Sequence, residues 1–444
     1  ALTGVNVVDV RTGEVLESQV VLVEDARIAA VGPAGGVTVP AAAQVVDAAG
    51  AWLIPGLWDM HVHIGYGDAL TRNVFLPMLV AYGITGVREM SGDSILLRLR
   101  SEIEDGTTTG PRLVIGGLVD APFRAGGMTL VPAWTGHQGA AAVDSLASGG
   151  FDFVKTYSFL PAEAYRGVQE RARSLDMEVS GHVPIAVELE EALALGHRTV
   201  EHLAGIEFAC SAREQELRER YRTELTRMAS DPAAAESAMA LFTRTEWEPV
   251  DSLDSAACEQ VYTALSESDS WVVPTLVRQQ LVSYRFEAPI LQDPRGRLLA
   301  GLLNPEEAWG FDPERRLLSV YEHRLGGGLA ELRDAGVRIM AGSDLPGGLP
   351  LHYELGLLVD AGLTPLEALQ AATLAPAGYL GLADTRGSVE PGKAADLVLL
   401  EGNPLEDISN TQRIRGVFLN GRWLDRPALD GLLAQVAAVI QSMR

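Results

Sequence analysis

Eight histidines punctuate the chain: His61, His63, His137, His182, His197, His202, His323 and His352. Four of them, His61, His63, His182 and His202, fall at or near the C-terminal ends of short apolar runs. His61-Val62-His63 has the two-residue repeat of a strand, so both imidazoles leave one face and can share a cation. Alone this pair is a weak signal, because His-x-His arises by chance on surfaces. The lysines add a second signal. Of 35 basic residues only two are lysines, Lys155 and Lys393. Lys155 lies inside Phe153-Val154-Lys155-Thr156-Tyr157, a run that would bury an ammonium at high cost, so the amine should be neutral, paired or modified. A neutral lysine amine can add carbon dioxide to give a carbamate whose two oxygens can bridge two divalent ions. A guanidinium, which stays protonated, cannot do this. An ion-paired structural lysine is the plainer reading. Asp344 closes Met340-Ala341-Gly342-Ser343-Asp344, where a carboxylate can bind a metal through one oxygen and take a proton from water through the other. Its plainer role is to cap the following helix.

These residues need elements to hold them. Eight short apolar runs, Trp58–Ile64, Thr85–Met90, Leu113–Val119, Phe153–Tyr157, Val179–Val183, Thr199–Leu203, Trp271–Val277 and Val337–Ser343, alternate with helical stretches such as Ser94–Asp105, Pro161–Ser174 and Ile185–Leu195. Eight strand–helix units without a glycine-rich dinucleotide turn after the first strand predict an α/β fold of the (β/α)₈ TIM-barrel type, whose active sites sit at the C-terminal ends of the strands. The candidate residues fall at the ends of runs one, four, five, six and eight. Outside the barrel, Val5–Val10, Val20–Val23 and Arg27–Val31 at one end, and Ala395–Leu400, Gly416–Leu419 and Arg422–Leu424 at the other, read as strands of one small β-sandwich split in sequence. The expected boundaries are a sandwich part over 1–54, a barrel over 55–386, and the rest of the sandwich with a terminal helix over 387–444. A segment at about 207–270 exceeds a normal βα connection. Its stretch Ser211–Ser230 mixes five arginines with four glutamates at helical spacing, which fits either a substrate lid or a plain solvated helix pair.

Composition narrows the classes. The formal net charge of −24 argues against a nucleic-acid or anionic-membrane partner, both of which require basic faces. With 47% hydrophobic residues the chain can bury a large core, and no apolar run reaches the roughly 20 residues of a membrane span. Two cysteines, Cys210 and Cys258, suit a reducing compartment, so a cytoplasmic location is expected. The chain opens at Ala1 without a signal-peptide pattern, and a leader trimmed earlier would leave the same start. Nothing in it forbids a homo-oligomer.

Several motifs carry a resemblance. Pro55-Gly56-Leu57-Trp58-Asp59-Met60-His61-Val62-His63, Val154-Lys155-Thr156-Tyr157, Gly181-His182-Val183, Glu201-His202-Leu203 and Ala341-Gly342-Ser343-Asp344 resemble the amidohydrolase superfamily, most of all its imidazolonepropionase-like branch of dipeptide, carbamate and urea hydrolases. Leu363–Leu369 and Val389–Val398 extend the likeness over nearly the whole chain. The resemblance implies that His61, His63 and Asp344 hold one divalent metal and His182 and His202 a second, with Lys155, carboxylated by CO₂, bridging both. Zinc fits this nitrogen- and oxygen-rich set best, with manganese or cobalt tolerated. Lys393 has no catalytic role in this reading.

The implied chemistry is hydrolysis of a C–N amide-type bond by a metal-bridging hydroxide, with Asp344 as general base and then acid. Tyr157, on the same strand face as Lys155, is a candidate oxyanion donor, and His137, in the loop after strand three, a candidate contact to the substrate carbonyl. His197, His323 and His352 are expected to be structural. Ile64, Tyr66, Met90, Leu118, Phe123, Met128, Trp134 and Leu345 predict a fairly apolar small-molecule pocket, and Arg88, Arg124 and Arg278 are candidate carboxylate clamps. N-acyl amino acids or dipeptides, carbamates and ureas all fit. A lactonase, esterase or phosphotriesterase using the same two metals is the alternative enzyme, and a non-catalytic scaffold the alternative of another class.

Overall fold

Both chain ends carry β-branched runs that pair with each other across more than 300 residues of sequence: Leu397–Leu400 runs antiparallel to Trp52–Pro55, with Leu397 opposite Pro55 and Leu400 opposite Trp52. The computed structural model describes residues 1–122, 129–230, 238–296 and 316–443, and the chain falls into two compact units. The first comprises Ala1–Arg88, Leu99–Leu113 and Met340–Arg444; the second comprises Glu89–Arg98 and Val114–Ile339.

In the first unit the terminal strands form one mostly antiparallel sheet. Its order is Arg422–Asp425, Ile414–Leu419, Leu397–Leu400, Trp52–Pro55, Leu2–Val8, Val15–Glu24 and Arg27–Pro33. Alternating side chains from both ends, among them Val5, Val7, Leu53, Leu397, Leu399 and Phe418, share one apolar core. The sandwich expected from both ends is therefore present. Strand Leu57–Val62 in the same unit is buried at every position, as a strand covered on both faces requires.

In the second unit the greater part of Arg112–Asp120, from Val114 on, and Phe153–Thr156, Glu178–Gly181, Thr199–Glu201 and Trp271–Val273 are successive parallel neighbours. Helices Gly136–Gly149 and Ala162–Ser174 lay Val143, Leu146, Tyr165 and Val168 over Val119, Val154 and Val179 of those strands. The first helix is fixed by a capping box between Thr135 and Gln138. A short parallel strand, Leu130–Pro132, flanks Arg112–Asp120 and was not anticipated from the sequence. The fold is a (β/α)₈ TIM-type barrel with a small β-sandwich.

Two runs differ from expectation. Trp271–Val277 stops being a strand at Val273, because Thr275 adopts a left-handed backbone (φ 51°) and helix Leu276–Tyr284 begins beside it. Val337–Ser343 makes an isolated bridge, Val272 with Ile339, in place of a regular strand. Its later backbone partners are Met60, whose N–H donates to Ala341 O (3.0 Å), and His61, whose carbonyl accepts from Asp344 N (2.7 Å).

The insertion is helical. Glu214–Ser230, Ala238–Trp247 and Ser255–Glu267 make up most of its described part. Leu217, Tyr221, Leu225 and Met228 recur at helical spacing and pack with Phe159, Ile185 and Phe208 in one buried cluster. The charged face read from the sequence thus has an apolar face behind it, and the segment is packed down. No helix among the described residues is long and apolar enough to cross a membrane.

Candidate functional site

In the first unit, His61 and His63 leave the end of strand Leu57–Val62 with ring centroids 5.3 Å apart. Their Nε2 atoms lie 3.3 and 3.1 Å from the same oxygen, Oδ1 of Asp344. Two donors bound to one ion at about 2.0–2.1 Å stand roughly 2.8–3.4 Å apart for octahedral to tetrahedral angles, so these separations fit a shared cation. His61 and Asp344 belong to a His/Asp group that can hold a metal ion. The presentation is built in. Asp344 has a left-handed backbone (φ 55°), which Asp tolerates better than most residues. Asp59, fully buried, accepts from Ser343 N (2.9 Å), Ser343 Oγ (2.6 Å) and His61 N (3.2 Å), tying the histidine strand to the turn that carries Asp344. Burial, opposed by the hydrogen bonds from Ser343 and His61 and aided slightly by the nearby charge of Asp344, pushes the Asp59 carboxyl up to about 7.

The second unit supplies the other donors. Lys155 is fully buried in the middle of strand Phe153–Thr156, its Nζ 5.2 Å from the Tyr157 ring centroid. His182 and His202 follow the next two strands, with rings edge to face at 4.8 Å. Each has its Nδ1 beside a hydroxyl: Ser158 Oγ at 2.7 Å from His182, and Thr275 Oγ1 at 2.6 Å from His202. With the Nδ1 proton given to the hydroxyl, the lone pair lies on Nε2, the form a metal ligand needs. Gly181 (φ 117°) precedes His182 because a Cβ there would stand 2.5 Å from Thr156 O and 2.8 Å from Lys155 Cγ. His202 itself is left-handed (φ 66°), as strained backbones at working sites often are. Tyr157 lies half-buried against His182, centroids 4.2 Å apart, and stacks with Phe242 of the insertion at 6.0 Å.

His137 is exposed in the first turn of helix Gly136–Gly149. His197 is held by Tyr165 OH and Gly181 O, and His352 by Thr411 Oγ1 and Tyr82 O, which makes both structural as expected. Lys393 donates to Ser388 Oγ (2.6 Å) and pairs with Glu390 in the turn before its strand. Arg88 is a buried core residue, donating to Met60 O (2.8 Å) and Tyr379 OH (3.0 Å), and is thus no carboxylate clamp. Arg278 is likewise spent on Glu246, donating from Nη1 to both of its oxygens at 2.9 Å. Of the apolar rim residues, Ile64, Met90, Leu118 and Leu345 are buried and Tyr66 is exposed. Phe123, Arg124 and Met128 lie outside the described residues.

A cleft in the second unit, enclosing about 540 Å³ of space open to solvent, is walled by His182, His202, Ser158, Phe208, Arg218 and Phe242 among others. Asp59, Ser158, Thr275, Arg218 and Phe242 were not singled out from the sequence. Asp59 lies two residues before the His-x-His pair, within Pro55–His63, and could have been found there; the other four carry no sequence signal of their own.

A family model described as "Amidohydrolase family" matches residues 52–424. An adenine deaminase of Rubrobacter xylanophilus is 25% identical over 408 residues, covering 90% of this chain and 53% of that protein. The chain thus spans about half the length of that relative. An ochratoxinase of Aspergillus niger is 44% identical over 85 residues, 19% of this chain and 18% of that protein. Its solved structure superposes with a TM-score of 0.65 at 20% identity, covering 96% of this chain and 95% of that one. A solved Xaa-Pro dipeptidase with bound methionine superposes with a TM-score of 0.67 at 19% identity, covering 96% and 99%.

Proposed function

The chain belongs to the amidohydrolase family, and on that premise we propose that it is a metal-dependent hydrolase of C–N amide-type bonds in small, fairly apolar substrates. The observation that carries this reading is the convergence of two imidazole Nε2 atoms on one oxygen of Asp344. His61, His63 and Asp344 would hold one divalent ion, and His182 and His202 a second. Lys155, as a carbamate, would bridge them. Zinc suits these nitrogen and oxygen donors, with manganese or cobalt as substitutes. When bound, the ions would supply a water acidic enough to ionise near neutral pH and would polarise the scissile carbonyl.

The chain's own residues would do the rest. Asp344 Oδ2 would take the proton of the attacking water and return it to the leaving nitrogen, whose departure as an anion is otherwise poor. Tyr157 would donate its phenol O–H toward the carbonyl oxygen as charge grows there. Ser158 and Thr275 would fix the two imidazoles in the ligand tautomer. His137, exposed on its helix, is given no role here.

Chelation followed by reconstitution with zinc, manganese or cobalt tests the reading. N-acyl amino acids, dipeptides, carbamates and ureas are to be compared with lactones, esters and organophosphate triesters. We expect amide-type turnover that disappears on chelation and returns with metal. Faster turnover of the lactone or phosphotriester panel would displace the reading, and a chain that takes up no divalent ion would favour a scaffold. Thr275→Val removes the hydroxyl held by His202 while keeping the side chain's shape. Its metal affinity, measured by competition with a chromogenic chelator, should fall about 10–100-fold.

A further inference from the structure

The six proposed ligands leave the insertion without a task, yet it walls the cleft beside His182 and His202. Phe242 lies almost parallel to Tyr157 (5° between planes) and 6.1 Å from the His182 ring, so an aromatic plate stands over the proposed chemistry. Phe208 and Ile185 extend the apolar wall. Among these groups sits Arg218, 4% exposed. Its Nη1 donates to Ile185 O (2.9 Å) and Val187 O (2.6 Å), its Nη2 meets Glu214, and its guanidinium carbon lies 4.6 Å from the Phe208 ring centroid. Its Nε is buried with no hydrogen-bond acceptor among the described residues. A buried N–H left without an acceptor is rare, because it has surrendered water for nothing.

The carboxylates of the same cleft are already met. Glu246 accepts from Arg278 with both oxygens, and Glu201 accepts from Thr199 Oγ1 (2.5 Å). Apart from His182 Nε2, which the metal reading uses, the buried cleft atom left without a hydrogen-bond partner among the described residues is therefore a donor on a guanidinium, set in aromatic and aliphatic surroundings. That combination fits an apolar side chain carrying an adjacent carboxylate.

We propose that this cleft is the subsite for the amino-acid portion of the substrate, with the side chain against Phe242 and Phe208 and the carboxylate taken by Arg218. The subsite rests on the amide-hydrolase reading and narrows it to N-acyl amino acids and dipeptides with apolar C-terminal residues. Carbamates and ureas lacking an acid are thereby disfavoured.

The test compares an N-acyl-phenylalanine with its C-terminal carboxamide on the metal-loaded, full-length protein. The free acid should show kcat/KM at least about tenfold higher, expressed mainly in KM. Arg218→Gln should bring the two substrates to within about twofold of each other while carboxamide turnover persists. Because Arg218 also holds two loop carbonyls, Phe242→Ala gives an independent arm. It should raise KM for phenylalanine-derived substrates more than for alanine-derived ones. Equal kcat/KM for acid and carboxamide in the unmutated protein overturns the subsite and leaves the amide-hydrolase reading standing. Turnover of neither removes both.

Discussion

Lys155→Ala should lower kcat/KM by about 10³-fold or more, with bound metal falling in parallel, since the change removes the proposed bridge between both ions. The position makes the outcome readable. Lys155 is fully buried between strand partners, and alanine keeps the strand while opening a cavity the length of the lost side chain. Formate, acetate or propionate can enter such a space and offer the two oxygens a carbamate would have supplied. Partial recovery of turnover and metal content with these acids, together with a cooperative thermal transition, is the expected pattern. Lys155→Arg should stay inactive and resist rescue, because a guanidinium fills the space and does not take up CO₂. Full activity of either variant would remove the bridging role.

The second large effect concerns proton transfer. Asp344→Asn keeps an oxygen for a metal and changes little in the backbone, since Asn tolerates the left-handed conformation at this site as Asp does. It should retain metal yet lose about 10²–10⁴-fold in kcat, with KM nearly unchanged, because the amide cannot accept the proton of the attacking water. Asp344→Ala should lose metal as well, separating the two duties. Metal content by plasma emission, paired with saturation kinetics, reads both. An Asn variant with wild-type kcat would move the proton acceptor elsewhere.

Much of the fold was legible because periodicity survives at a distance. The runs that carry His61, Lys155, His182 and His202 are mostly apolar with a polar residue toward the C-terminal side, and strands occupy most of each. Thr275 shows where that signal stops. It lies within the β-rich run Trp271–Val277, and nothing in its type reveals that its backbone turns left-handed to bring a hydroxyl to His202. Arg88 and Arg278 show a second limit. An arginine near a strand end reads the same whether it faces a cleft or the core. The partners that decide, Tyr379 and Glu246, lie 291 and 32 residues away. Arg218 is the converse case. Its sequence context is a solvated, charge-rich helix, yet tertiary packing of Leu217 and Tyr221 carries it into the interior. Local pattern records which face is apolar. It does not record what that face is pressed against.

Diffraction from zinc-loaded crystals at the zinc absorption edge addresses the metal centre most directly. The expected map has two anomalous peaks about 3.5–4 Å apart. His61, His63 and Asp344 should surround one and His182 and His202 the other, with density for a carboxylated Lys155 reaching both. A single peak, peaks remote from these side chains, or an unmodified Lys155 paired to an acidic residue would contradict the binuclear assignment.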